Sequence, residues 1–189
     1  MNLSVQDILF LQNRVAYTRD EQAYKKLFLH FYNSLHRFAG NIIRDTGSAD
    51  EIVSDIMMKI WEMGNKLGQV DKLNLYLFTA VKNAALTRLS ANKPAWPEPG
   101  YSIENTLADD ADNPERKLIL NEVHLEIEAA ISGLPQQCQL VFRLIRQEGF
   151  SYKEVCAILQ VSQNTAETHM RLALKKLQSA LDHYLLVKK

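Results

Sequence analysis

The segment SQNTAETHMRLALKK (162–176) places Gln163, Asn164, Thr165, Glu167, Thr168, His169 and Arg171 along the front of one helix. These side-chain types can read base edges. Asn suits adenine, Arg suits guanine and Glu accepts from the cytosine amino group, each good pair giving about 1–3 kcal/mol of discrimination. Lys175 and Lys176 follow them, where ammonium groups would meet phosphates. A helix of this kind reaches the major groove as the second member of a helix-turn-helix, so the residues before it must supply the first. Ser151 and Glu154 have the spacing of a capping box, which starts a helix at Tyr152. Val155, Ile158 and Leu159 form its apolar stripe, and small Ala157 would allow a close crossing. Gln160 and Val161 make the turn, Ser162 is a ready N-cap, and Met170, Ala173, Leu174 and Leu177 give the second helix a buried side. An ordinary helical hairpin with a solvated face fits the same pattern.

The rest of the chain narrows the choice. Its 189 residues suffice for one or two domains, and the formal net charge is zero. A neutral chain is a poor candidate for coating nucleic acid by charge alone, so DNA contact should be local and depend on a larger complex. No run approaches 18 uncharged apolar residues, which excludes a transmembrane helix. The N-terminal MNLSVQDILFLQNR carries Asp7 ahead of its apolar stretch and reads as a mature helix, so a cytoplasmic location is expected. Cys138 and Cys156 fall at apolar helix positions and read as reduced core thiols. The five histidines, His30, His36, His124, His169 and His183, are too scattered to propose a metal site. With no HExxH, phosphate-binding glycine loop or nucleophile elbow, neither an enzyme nor a cofactor is expected.

Helical period runs through the whole chain, and no alternating β-branched run argues for a strand. Ile8, Leu9 and Leu11 mark a short first helix. Thr18 and Glu21 have capping-box spacing before a helix from about Arg19 to Arg44, with Tyr24, Leu27, Phe28, Phe31, Leu35, Phe38 and Ile42 as its buried stripe. Gly40 interrupts it at a cost of about 1 kcal/mol relative to Ala, which close packing would explain. Gly47 ends that segment, and Ser48 with Glu51 opens the next by another capping box. There Ile52, Val53, Ile56, Met57, Ile60 and Trp61 form the apolar side. Gly64 to Asp71 is a polar loop, and a fourth helix runs from about Asn74 to Ser90, burying Leu77, Phe78, Val81, Ala85 and Leu89. Prolines and carboxylates then mark an extended acidic tether. Asn113 and Pro114 start a helix with Leu118, Ile119, Val123, Ile127 and Ile131 inward. Gly133 terminates it, and Pro135 opens the helix before the helix-turn-helix.

The expected fold is therefore all-α: two small helical domains joined by a flexible acidic linker, the C-terminal one a helix-turn-helix. The boundaries are residues 1–93, 94–113 and 114–189.

In this arrangement the chain resembles the extracytoplasmic-function group of bacterial RNA polymerase sigma factors, over about Ile8 to Leu181. SADEIVSDIMMKIWE looks like the helix with which such proteins grip the polymerase clamp. LNLYLFTAVKNAALTRL looks like the helix that meets the −10 promoter element. LPQQCQLVFRLIRQEGFSYKEVCAIL and SQNTAETHMRLALKKL look like the −35-reading helix-turn-helix. The resemblance implies core RNA polymerase and promoter DNA as partners, and an anti-sigma factor that hides both surfaces.

Carried over residue by residue, polymerase contacts fall on Asp50, Glu51, Ser54 and Asp55. Such an acidic face suits partner arginines, which pair with carboxylates through two parallel hydrogen bonds. The −10 contacts fall on Asn65 and Lys66 in the loop and on Lys82, Asn83 and Arg88 of the next helix's polar face. Promoter opening needs extruded bases held by stacking or in pockets with hydrogen bonds. The −35 contacts fall on Asn164, Thr165, Glu167, Thr168, His169, Arg171, Lys175 and Lys176.

The match has departures. The family usually has Gly at the helix-turn-helix turn, where Gln160 stands here. A left-handed non-glycine would cost roughly 1–2 kcal/mol there, which leaves the turn geometry open. Glu167 stands where a basic residue is common, Ser90 replaces an arginine and Ser54 a glutamine, and Asp50-Glu51 reverses the usual acidic order. The competing reading is a helix-turn-helix regulator that is no polymerase subunit. Such a protein normally carries a strand-rich receiver, which the helical first half does not suggest.

Overall fold

The computed structural model describes residues 3–91 and 127–187, with side chains through Ser179. The expected linker 94–113, the start at Asn113 and Pro114, and the positions Leu118, Ile119 and Val123 lie outside the described residues. Every regular element among those described is helical, and they divide between two compact units.

In the first unit, α1 (Val5–Thr18) opens with a capping box between Ser4 and Asp7. Thr18 does not cap α2 (Glu21–Ile43), because its hydroxyl donates back to the Arg14 carbonyl at 2.6 Å. Arg19 instead turns left-handed (φ 54), and Asp20 caps α2 by accepting from the amides of Gln22 at 2.9 Å and Ala23 at 3.0 Å. A similar shift occurs at α3 (Thr46–Glu62). Its cap is Asp45, accepting from the Ser48 amide at 3.1 Å, so Gly47 and Ser48 lie inside the helix. The residue that ends α2 is left-handed Arg44 (φ 60). In both places a carboxylate nearer the chain reversal wins over the hydroxyl, since an ionised acceptor also favours the positive end of the helix dipole.

The expected loop at Gly64 is mostly a 3-10 segment, Gly64–Gln69, followed by α4 (Leu73–Ala91). α2 packs against both α3 and α4. Leu27, Phe31, Leu35 and Phe38 meet Val53, Met57, Ile60, Leu77 and Val81 in the core, and the rings of Phe38 and Phe78 lie 5.1 Å apart. Each such side chain contributes about 1.5–3 kcal/mol by leaving water. Gly40 is buried, yet a Cβ there would meet nothing within 4 Å, so close packing does not explain it. Leu9 and Leu89 are exposed, and Tyr24, Phe28 and Trp61 are only half-buried.

The remaining helices are α5 (127–132), α6 (Gln136–Arg146), α7 (Tyr152–Leu159) and α8 (Gln163–Val187). α5 ends at Gly133 and Pro135 precedes α6, as the sequence suggested. Ile131, Leu134 and Cys138 pack with Ala173 and Leu177 of α8. Leu144, Phe150, Val155, Ile158, Ala166 and Met170 are also buried. Leu174 is exposed and so is Ala157, so no helix among the described residues crosses close over Ala157. A nearly buried ion pair, Arg143 to Glu128 at 2.8 Å, ties α6 to α5.

Candidate functional site

Asp50, Glu51, Ser54 and Asp55 are all exposed along α3. Two of them are already engaged. Tyr32 of α2 donates its hydroxyl to Asp50 Oδ1 at 2.5 Å, and His36 Nε2 stands 3.2 Å from the same oxygen. That hydrogen bond, then burial, pushes the Tyr32 phenol above its ordinary pKa. Glu51 accepts from Arg88 of α4 at 2.6 Å. The pair joins a residue assigned to polymerase with one assigned to DNA. Ser54 borders an open cleft of ≈ 470 Å³ with Glu21, Tyr24, Phe28, Met58 and Trp61. Ring contacts run along it from Trp61 to Tyr24 at 5.0 Å, to Phe28 at 6.3 Å and on to Tyr32 at 5.1 Å. The sequence assigned Tyr24, Phe28 and Trp61 to the core, because a surface row of aromatics has the same period as a buried one.

Asn65 and Lys66 are exposed on the 3-10 segment, as is Asn83 on α4. Lys82 does not stand on the polar face of α4. It is 5% exposed, and its stem is buried while Nζ reaches Asn83 Oδ1 at 3.2 Å. Long cationic side chains can do this because the stem is apolar and only the head needs polar company. With Oδ1 accepting from Lys82, the Asn83 side-chain NH2 is the group left to meet a ligand.

Between α7 and α8 the turn has the left-handed geometry despite its sequence: Gln160 sits at φ 57. Both helix starts are capped as expected. Ser151 and Glu154 exchange hydrogen bonds at 2.8–3.4 Å, and Ser162 Oγ accepts from the Thr165 amide at 3.1 Å. Asn164, Glu167, Arg171, Lys175 and Lys176 are exposed on α8. Asn164, Thr168, Arg171 and Lys175 recur at steps of four, three and four, so they share one stripe. Glu167 beside that stripe accepts from Gln163 at 2.8 Å. Thr165 spends its hydroxyl on Ser162 at 2.7 Å. His169 points elsewhere. Its Nδ1 lies 3.4 Å from the Sγ of Cys138 on α6, a buried thiol whose pKa burial raises, so the imidazole is turned away from that stripe.

Sequence reasoning missed one residue altogether. Gln12 of α1 is 1% exposed, and its Nε2 donates to the carbonyls of Leu67 at 2.8 Å and Val70 at 2.7 Å. A glutamine among Leu11, Val15 and Ala16 was the only signal, and it is a weak one.

Comparison with known proteins follows the same division. Residues 27–94 match the family Sigma-70 region 2, and residues 124–177 match Sigma-70, region 4. The chain is 24% identical over 179 residues to the ECF RNA polymerase sigma factor SigK of Mycobacterium tuberculosis, covering 93% of this chain and 94% of that protein. It is 22% identical over 173 residues to the ECF RNA polymerase sigma factor RpoE of Cereibacter sphaeroides, covering 91% and 93%. To the RNA polymerase sigma-H factor of Pseudomonas aeruginosa it is 21% identical over 170 residues, covering 86% and 88%. Among solved structures, RpoE in complex with the anti-sigma factor NepR from Bartonella quintana is similar in fold, with a TM-score of 0.59 at 20% identity, covering 84% of this chain and 96% of that one. CnrH in complex with the cytosolic domain of CnrY has a TM-score of 0.56 at 18% identity, covering 94% and 98%.

Proposed function

The chain belongs to the sigma-70 family, in its extracytoplasmic-function group, and from that premise we propose how its surfaces divide the work of initiation. As a sigma factor it binds core RNA polymerase and directs promoter-specific transcription initiation. In our reading residues 1–93 carry polymerase binding and −10 opening, 94–113 are a linker, and 114–189 dock on the −35 duplex. Asp50, Glu51, Ser54 and Asp55 meet the polymerase. Asn65, Lys66 and Asn83 face the opened −10 strand. Lys82 acts by holding Asn83, and Arg88 reaches a phosphate only by leaving Glu51. Asn164, Thr168 and Arg171 read bases, with Glu167 beside them, while Lys175 and Lys176 contact phosphates. Thr165 serves the cap and His169 packs on α6, so neither is retained as a base reader.

The observation that carries this reading is the order of the two family matches, region 2 on the first helical unit and region 4 on the second. A partner of the kind seen in the Bartonella quintana complex, an anti-sigma factor, would cover these surfaces until a signal removes it. Location in the cytoplasm follows from partnership with polymerase, and catalysis is left to the polymerase. No helix among the described residues is long and apolar enough to cross a membrane. The test is run-off transcription by purified core polymerase on a genomic fragment library, with and without the chain. Defined start sites that need the chain are expected. Binding to promoter DNA without polymerase, and no comigration with core enzyme, would favour the free-standing regulator instead.

A further inference from the structure

The 3-10 segment Gly64–Gln69 is held by α1 at three points. Just ahead of it, the guanidinium of Arg19, the residue that ends α1, donates to the Trp61 carbonyl in the last turn of α3 and lies over the Trp61 ring, 4.8 Å from its centroid. In its middle, the Tyr17 ring occupies the space above Gly68 so closely that a Cβ there would fall 2.5 Å from Tyr17 Oη. At its end, Gln12 donates both hydrogen bonds of its buried amide to Leu67 and Val70. Leu67 is itself fully buried, while Asn65, Lys66 and Gln69 are exposed. A short 3-10 segment with two glycines has little rigidity of its own. Its shape is borrowed from α1.

We infer that Gln12 is a positioning residue for recognition of an extruded −10 base, acting through the backbone of Leu67 and Val70, with Tyr17 as its outer support. The inference rests on the function proposed above. A glutamine is suited to the task because its NH2 supplies two donors from one atom. It bridges the Leu67 carbonyl, which also accepts from the Val70 amide at 3.1 Å, to the Val70 carbonyl, and so ties the turn that closes the segment to α1. Freed from Gln12, the segment loses the single conformation in which Asn65 and Lys66 flank one base. The groups that touch DNA are unchanged, and so is the polymerase face on α3.

The test uses holoenzyme formed from core polymerase and the full chain, with non-template −10 strands from promoters the unaltered chain uses. An abasic site is walked through each strand. For the unaltered chain, removal of the extruded base should lower affinity on the order of tenfold, the scale of one held base. Gln12→Met keeps the length and removes both donors. It should shrink that one penalty to below about threefold, the remainder of a base held loosely, while penalties elsewhere and core affinity stay unchanged. Tyr17→Ala alters a side chain that is 59% exposed and should shrink the same penalty by a smaller factor, keeping the test valid should Gln12→Met not fold. An unchanged penalty profile in both variants, or an equal loss at every position together with core affinity, overturns the inference. Absence of any initiation by the unaltered chain would instead remove the proposed function.

Discussion

The two units present their candidate contacts in opposite ways. In the first, the groups are held across elements: Asp50 by Tyr32, Glu51 by Arg88, and the 3-10 segment by Gln12. In the second, Asn164, Thr168, Arg171 and Lys175 stand on one helix, and the ties near them run within its first turns, Ser162 to Thr165 and Gln163 to Glu167. The proposed −35 surface is thus a property of one helix and its period, whereas the proposed −10 and polymerase surfaces are properties of packing. A core lesion should therefore disable the first unit's surfaces as a group, while the second unit's residues should fail one at a time.

The most severe expected effect tests the first half of that contrast. Leu35 is fully buried, and Leu35→Ala should cost about 2–5 kcal/mol of the first unit's stability, reducing core binding and promoter opening together. Amide exchange across α2, α3 and α4 with a core-binding titration checks it, and a loss of one activity alone would break the contrast. Next, Arg171→Ala should lower promoter-specific initiation by about 1–3 kcal/mol of discrimination without changing core affinity. The companion Lys176→Ala should mainly reduce the slope of log affinity against log salt, by about one unit. Competition binding across salt concentrations separates the two.

A pair of glycine exchanges gives smaller effects of the same sign. Gly40→Ala in α2, where a Cβ meets nothing, should stabilise by about 1 kcal/mol. Gln160→Gly, at φ 57, should stabilise the helix-turn-helix by about 1 kcal/mol, most of the strain of a left-handed residue. Thermal denaturation of both variants decides it. The exposed Glu51–Arg88 pair should show a coupling of about 0.2–1 kcal/mol in a double-mutant cycle read by denaturant unfolding.

Acid should give the weakest effect, and it should differ between the units. Asp7, Asp20 and Asp45 all cap helices of the first unit, and their pKa values are lowered, by the hydrogen bonds of Ser4, of the Ala23 amide and of Ser48 respectively. A lowered folded pKa gives stability that is present above the unfolded value, near pH 4, and lost as pH falls through the folded one. At the α8 cap a serine hydroxyl accepts, and it does not titrate there. Amide exchange at decreasing pH should show α1, α2 and α3 opening before α8. The reverse order would break the comparison.

What the sequence disclosed follows the same division. Ser151, Glu154 and Ser162 were readable because a cap and its helix are neighbours in the chain. The apolar stripes of α2 and α3 gave the helices and most of the core, since burial and period coincide at Leu27, Leu35, Val53 and Met57. They misled at Tyr24, Phe28 and Trp61, where the period continues over a surface cleft. Lys82 was misplaced because residue type suggests exposure while the α4 helix angle turns its stem inward. Gln12 was invisible: its partners are more than fifty residues away and are backbone carbonyls, which leave no mark in composition.

Asp50 has a final consequence for its visitor. One carboxylate oxygen already receives the Tyr32 hydroxyl and faces His36. In the proposed polymerase contact, an arriving cation would therefore meet a half-occupied acceptor and dock end-on, through Oδ2. The two-pronged advantage of guanidinium over ammonium disappears at such a site. At that one spot the visiting surface would be at liberty to exchange arginine for lysine, and the sigma factor's own tyrosine would grant the tolerance.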